Sequence, residues 1–132
     1  MKHGRERLQT LGWIGLVIVL GGVSRLPAMP EFSHLYLGDV LWGSLFYLIT
    51  RFLLPTLSAR SAWLMATLAA ELVEFGELSQ APTLVSIRET RLGGLLLGHS
   101  FSWSDVFCVA LGSSLAFALQ KPRSRSARLA SP

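Results

Sequence analysis

The sequence predicts an all-α integral membrane protein: a helical bundle of four transmembrane helices, with a re-entrant or interfacial segment before the last helix. The chain has 132 residues, of which 51% are hydrophobic and only 15% are charged, whereas soluble domains carry about 25% charged residues. The apolar residues form long blocks rather than periodic stripes, and basic residues flank those blocks. A small soluble fold could not bury so much apolar surface, so embedding in a bilayer is favoured.

The first predicted span covers residues 8–26. Basic residues precede an uncharged run from Leu8 to Ser24, which is 17 residues long and sufficient to cross a bilayer. A cleaved signal peptide is the alternative, but "SRLPAMP" is a poor cleavage site. We therefore expect this helix to remain in the protein.

Prolines and turn residues delimit the remaining spans. Pro55 ends the second span, and Pro82 disfavours helix at the residue before it. The four predicted spans are residues 8–26, 36–54, 59–79 and 103–120. We expect residues 1–120 to form a single transmembrane domain and residues 121–132 to be a basic, disordered cytoplasmic tail.

The segment of residues 83–102, "TLVSIRETRLGGLLLGHSFS", is too long for a tight turn and too apolar for a free loop. Irregular backbone at membrane depth persists only where protein buries it or where it lines a wet cavity. The segment is therefore predicted to be re-entrant or interfacial, and a short fifth span is the alternative. Small residues could also permit close helix approach, namely Gly12 and Gly15 in the first span and Gly112, Ser113 and Ser114 in the last.

Basic residues are distributed unequally between the two sides of the predicted bundle. Four spans place both termini on one side, and that side holds nine of the twelve basic residues. By the positive-inside rule, the sequence predicts a multi-pass protein of the bacterial inner membrane with both termini in the cytoplasm. Bases that flank apolar blocks indicate contact with membrane lipids rather than with nucleic acid. The sequence is also compatible with a homo-oligomer.

Charged residues collect at the predicted outer end of the bundle. Glu71, Glu74 and Glu77 recur every third residue in "ELVEFGELSQ", which places them on one face of the third helix. Charges inside a membrane are costly, so they face the bundle interior or pair with one another. The candidate ligand-binding residues are Asp39, Glu71, Glu74, Glu77, Arg88, Arg91 and Asp105.

Two interpretations of these residues stay open. They could form a polar pocket for a lipid headgroup or an envelope precursor. Alternatively, the acids and the arginines could satisfy each other and fix the segment of residues 83–102 to the bundle. Asp39 and Asp105 also open predicted helices, where an acid offsets the helix dipole.

No motif in the sequence indicates a catalytic centre, a cofactor or a metal ion. Paired Glu-x-x-His motifs, His-Glu-x-x-His and phosphate-binding loops are absent, and Cys108 is the single cysteine. His99 lacks the second histidine and nearby arginines of a membrane phosphatase signature. A non-enzymatic protein that binds a lipid or an envelope precursor is therefore favoured. The alternatives are a small oligomeric transporter or channel subunit with protonatable glutamates, and a membrane enzyme acting on a lipid-linked substrate.

The chain also resembles DUF2809, a family of small bacterial membrane proteins that is similar in general character to VanZ-like proteins. The resemblance rests on "YLGDVLWGSLFYLI", "ELVEF" and "APTLVSIRETRLGGLLLGHSFSWSD". Its most specific residues are Arg88, Thr90, Arg91, Gly93, Gly98, Phe101, Trp103 and Asp105.

The chain departs from the family pattern at two positions. The resemblance implies glutamine where Glu77 stands and an acid where Val85 stands, so Glu77 replaces a partner that Arg88 would otherwise have. The family has no established activity. VanZ-like proteins are linked to teicoplanin resistance through an unknown mechanism. The resemblance therefore implies a site at these residues without naming a reaction.

Overall fold

The computed structural model describes residues 2–98 and 100–120, and within them all regular structure is helical. A π-helical turn, Ser33–Leu37, leads directly into the second α-helix. The six α-helices are α1 (Lys2–Val23), α2 (Gly38–Leu53), α3 (Ala59–Gly76), α4 (Pro82–Arg88), α5 (Arg91–Leu97) and α6 (Trp103–Gln120). The all-α prediction is confirmed. The predicted disordered tail at residues 121–132 and His99 lie outside the described residues.

The four long helices lie where the sequence predicts helical spans. α6 has the predicted bounds, whereas α1 begins earlier because the basic residues at its start continue the helix. Between α3 and α6 the chain forms two helices of seven residues each, α4 and α5. At 1.5 Å per residue each is about 10 Å long, and neither alone crosses a hydrocarbon core of about 30 Å.

Helix α2 lies at the centre of the bundle and packs most closely against α6, with α1 and α3 on its other sides. Glycines permit this approach: a Cβ at Gly43 would overlap Val109 O, and a Cβ at Gly112 would overlap Val40 O. The prediction of close approach at Gly112 is confirmed. At Gly12 and Gly15 of α1, by contrast, a Cβ would meet no atom of the described residues within 4 Å.

Small and polar side chains fill the contacts between the helices. Ser44 Oγ donates to Gly112 O at 2.9 Å, joining α2 to α6. Thr67 Oγ1 and Ser113 Oγ lie 2.8 Å apart, joining α3 to α6. Ala62 and Ala66 of α3 are fully buried. Such interfaces are typical of membrane helices, which associate through small residues and interhelical hydrogen bonds.

Large apolar side chains instead lie on the outside of the bundle. Along α6 they recur every fourth residue on one exposed face, and Phe107 is 74% exposed. The members of this stripe are Trp103, Phe107, Leu111, Leu115 and Leu119. Leu64, Leu68 and Leu72 form a similar stripe on α3. Tyr47 and Leu48 of α2 are buried, but the large apolar side chains of these two stripes face outward, unlike those in the core of a soluble fold.

Two helices are long and apolar enough to cross a membrane: α1 over Gly4–Val23 and α6. Of the most apolar 18 residues in each helix, only 11% in α1 and 22% in α6 are buried. Helix α2 has only 16 residues, and α3 carries Arg60, Glu71 and Glu74. Because α1 and α6 are mostly uncovered by protein, they are unlike the core helix of a soluble fold.

Candidate functional site: a charged cavity at one end of the bundle

A cavity of about 800 Å³ opens at the end of the bundle where α1 and α3 finish and where α2 and α6 begin. One part of its wall is charged, formed by Arg25, Asp39, Glu74, Glu77, Arg91 and Asp105. Another part is mainly apolar, formed by Val17, Ile18, Leu41, Trp42, Leu45 and Leu96. The cavity is therefore amphipathic.

Helix ends place the four acids on this cavity. Asp39 is the second residue of α2, and Asp105 is the third residue of α6. Glu74 lies in the last turn of α3, and Glu77 is the residue that caps that helix. Because Glu74 and Glu77 are three residues apart, they share the inward face of α3. Both are buried, with exposed fractions of 5% and 8%.

Three of these carboxyl groups converge. Ligand oxygens of Glu74, Glu77 and Asp105 all lie within 4.8 Å of one another. Asp39 is close enough to interact electrostatically with Asp105, Glu74 and Arg25. Like charges this close, away from bulk water, repel strongly, so the group requires protons or a cation to be stable.

Glu77 is held against the backbone of the chain that follows α5. Gly98 has a φ of +67°, and a Cβ at this position would overlap Glu77 Oε1. Glycine is therefore required there both by the backbone angle and by the contact. The second oxygen, Oε2, is enclosed and has no hydrogen-bond partner within the described part of the chain.

Arg88 reaches the same end of α3 but contacts the backbone. Its Nη2 donates to Gly76 O at 2.6 Å and its Nη1 donates to Ser79 O at 2.9 Å. The side chain is only 7% exposed, and its Nε has no hydrogen-bond partner in residues 2–98 and 100–120. An arginine at the carboxyl end of a helix satisfies carbonyls that have no partner within that helix. Arg88 is near enough to act electrostatically on Glu77, but both of its hydrogen bonds go to carbonyls.

The turn between α4 and α5 positions Arg91 at the cavity. Thr90 caps α5, because its Oγ1 accepts from Gly93 N at 3.0 Å. A Cβ at Gly93 would overlap Ile87 O, so the two short helices approach closely only with glycine there. Arg91 begins α5 and is exposed on the cavity wall.

Three aromatic rings join the end of α3 to the start of α6. Phe75 stacks on Phe101 with ring centroids 5.7 Å apart. Trp103 packs edge-on against both rings, at 6.3 Å from Phe75 and 5.2 Å from Phe101. These contacts fix the two helix ends that carry Glu74, Glu77 and Asp105.

The structure brings together five of the seven predicted site residues on the cavity wall: Asp39, Glu74, Glu77, Arg91 and Asp105. Arg88 and Glu71 do not line the cavity, although Glu71 is near enough to act electrostatically on Glu74. Arg25 lines the cavity and was absent from the predicted set. Its signal in the sequence was its position at the outer end of the first predicted span.

The fold and the site together define an all-α protein with two helices that could cross a membrane and an amphipathic cavity with a charged wall. The family described as "Protein of unknown function (DUF2809)" matches residues 28–113, from the α1–α2 loop into α6. The chain belongs to this family, which confirms the resemblance predicted from the sequence. No solved structure matches the chain.

Proposed function

We propose that this protein spans a bacterial inner membrane with α1, α2, α3 and α6, and that its cavity binds an amphiphile with a phosphate headgroup. The observation that carries the membrane part of the proposal is the stripe of large apolar side chains on the outside of α3 and α6. Helix α2 and the π-helical turn before it together cover residues 33–53, a length of roughly 30 Å. The basic residues favour termini in the cytoplasm and a cavity that faces outward.

The two parts of the cavity wall match the two parts of an amphiphile. Arg25 and Arg91 are both exposed on the cavity and offer guanidinium groups, which bind phosphate through paired hydrogen bonds. The apolar part, with Trp42 and Leu45, lies beside the charged part and suits an acyl or isoprenoid chain. A phospholipid and a lipid-linked envelope precursor share this chemistry.

Native mass spectrometry of the detergent-extracted protein tests the proposal. We expect a retained phosphate-bearing species, and its mass separates a phospholipid from a lipid-linked precursor. Hydrogen bonds to a charged group contribute about 1.5–3 kcal/mol, so Arg25→Ala and Arg91→Ala should each reduce retention by about 10-fold or more.

Arg60→Ala is the matched control, because Arg60 is also exposed but lies at the start of α3, away from the cavity. This variant should retain the species at the wild-type level. A wild-type protein that carries no phosphate-bearing species, or equal retention in all three variants, would contradict the proposal.

A proton-coupled transporter or channel subunit is the second candidate function. Glu74 favours it, because this buried carboxyl lies on a cavity wall in a helix that we propose spans the membrane. A bundle of four long helices has little room for its own pore, so this function requires an oligomer. It predicts pH-dependent proton flux in liposomes that Glu74→Gln abolishes without loss of folding.

A further inference from the structure

We propose that Glu74, Glu77 and Asp105 bind a divalent cation of the oxygen-preferring class, such as Ca²⁺, Mg²⁺ or Mn²⁺, at the charged wall of the cavity. Carboxylate oxygens are the ligands that these ions prefer. The three residues come from the end of α3 and the start of α6. The site is therefore made by the packing of two helices and has no contiguous motif in the sequence.

The spacing of the oxygens suits a single ion. A Ca²⁺ ion lies about 2.3–2.6 Å from each oxygen, so oxygens on opposite sides of it are roughly 4.6–5.2 Å apart. The oxygens of the three carboxylates lie within 4.8 Å of one another, which allows one ion to contact all of them with little movement. The open side of the cavity leaves room for water or for a ligand oxygen to complete the coordination.

Glu77 gives independent support for a ligand at this place. The side chain is more than nine-tenths buried, and its Oε2 has no hydrogen-bond partner among the residues that the structure describes. One oxygen of its carboxyl faces the oxygens of Glu74 and Asp105. A buried carboxylate oxygen without a partner is costly, and a coordinated cation would remove that cost.

Arg88 acts electrostatically on Glu77 but gives it no hydrogen bond. The hydrogen bonds of Arg88 go to two backbone carbonyls at the end of α3, at 2.6 Å and 2.9 Å. The carboxyl end of α3 carries the negative end of its helix dipole, whereas the start of α6 carries a positive end, so the two dipoles largely offset each other. The charge and the spacing of the three carboxyl groups are therefore what favour a positive ion between these helix ends.

The cation would also explain how an acidic cavity accepts an anionic ligand. Four acids and two arginines form its charged wall, so an uncompensated cavity would repel phosphate. A divalent ion offsets the acids, and Mg²⁺ is commonly held by one or two carboxylates together with a ligand phosphate. This bridging role rests on the proposed function, whereas the cation site itself does not.

Titration of the full chain with Mn²⁺ alone tests the site. The protein is prepared in a neutral detergent, freed of metal with a chelator, and followed by loss of the free-Mn²⁺ electron paramagnetic resonance signal. We expect one Mn²⁺ per chain. Glu77→Gln and Asp105→Asn should each weaken binding by about 10-fold or more, since loss of even an indirect metal partner weakens affinity by about 10–100-fold.

Glu89→Gln is the matched control, because Glu89 is an exposed acid at the end of α4 that is not part of the group. It should bind Mn²⁺ like the wild type. Thermal unfolding separates loss of the site from loss of the fold. Metal-free Glu77→Gln should be at least as stable as the metal-free wild type, because it removes like-charge repulsion. Mn²⁺ should raise the unfolding midpoint of the wild type and of Glu89→Gln more than that of Glu77→Gln.

Two results would overturn the cation site: no binding of Mn²⁺ by the wild type, or equal binding by the wild type, Glu77→Gln and Asp105→Asn. Neither result depends on a phosphate ligand. A protein that binds Mn²⁺ but retains no phosphate-bearing species would leave the cation site intact and contradict the proposed function.

Discussion

The glycine at position 43 should be essential for the packing of α2 against α6, and Gly43→Ala tests this. A Cβ at Gly43 would overlap Val109 O and would lie 2.8 Å and 2.9 Å from Val109 C and Cα. Carbon atoms in favourable contact are about 3.5–4.0 Å apart. The two helices must therefore separate by about 1 Å at their crossing, which also lengthens the 2.9 Å hydrogen bond from Ser44 Oγ to Gly112 O.

The size of the effect follows from three contributions. Overpacking a close contact costs about 1–3 kcal/mol. Loss of an interhelical hydrogen bond in a membrane protein costs about 0.6 kcal/mol. Alanine in place of glycine inside a helix stabilises the helix by about 0.5–1 kcal/mol. We therefore expect Gly43→Ala to lower the free energy of unfolding by about 1–3 kcal/mol.

The assay is equilibrium unfolding in mixed micelles of a mild detergent and sodium dodecyl sulfate, followed by tryptophan fluorescence. Gly15→Ala is the matched control, because it is the same chemical change at a helix position where a Cβ meets nothing within 4 Å. This variant should be unchanged or more stable by up to about 1 kcal/mol. If both variants change stability equally and in the same direction, the close contact of α2 with α6 is not the reason for glycine at position 43, and the reasoning is refuted.

Three further outcomes are expected. Arg88→Ala should destabilise the protein by about 2–4 kcal/mol in the same unfolding assay, and Arg88→Lys should not rescue it, because lysine cannot contact two carbonyls with one planar group. Gly98→Ala should abolish Mn²⁺ binding in the resonance titration, since its Cβ would displace Glu77. In a cysteine-free background, Glu31→Cys should react with a membrane-impermeant maleimide in spheroplasts, whereas Ser58→Cys should react only after the membrane is disrupted. The reverse labelling pattern would contradict the proposed orientation.

The positions of the helices could be predicted from the sequence because their signals are local. Long apolar blocks mark the helices, Pro55 follows the end of α2, and Pro82 begins α4. These signals act whatever the helices pack against. The two short helices of residues 82–97 were harder to predict. Their closeness depends on Gly93 against Ile87 O, a contact between two elements that no pattern of hydrophobicity encodes.

Which small residues lie at helix contacts also depends on tertiary packing and could not be predicted from local sequence. The sequence marks Gly12, Gly15 and Gly112 alike as sites of close approach. Only the structure distinguishes them, because Gly112 faces α2, whereas a Cβ at either of the two glycines in α1 would meet nothing within 4 Å. A small residue permits a close contact, but which helix lies beside it is decided by the packing of the whole bundle.

The candidate site could be predicted in part for the same reason. The three-residue spacing of the glutamates places Glu74 and Glu77 on one face, and that face is the inward one. Arg25 lies at the predicted outer end of the first span, but the sequence does not show that its side chain reaches the cavity beside the start of α2. The packing of the helices decides which side chains line the cavity.

The structural and functional interpretations of the charged residues apply to different side chains. Arg88 has a structural position, since it is buried and bonded to the carbonyls at the end of α3. Arg25 and Arg91 are exposed on the cavity and remain available to a ligand. Because Arg88 gives its hydrogen bonds to the backbone, it acts on Glu77 only through its charge, and Oε2 of Glu77 has no hydrogen-bond partner among the described residues. The three neighbouring carboxyl groups thus carry more negative charge than this one arginine offsets, and a bound cation would supply the missing positive charge.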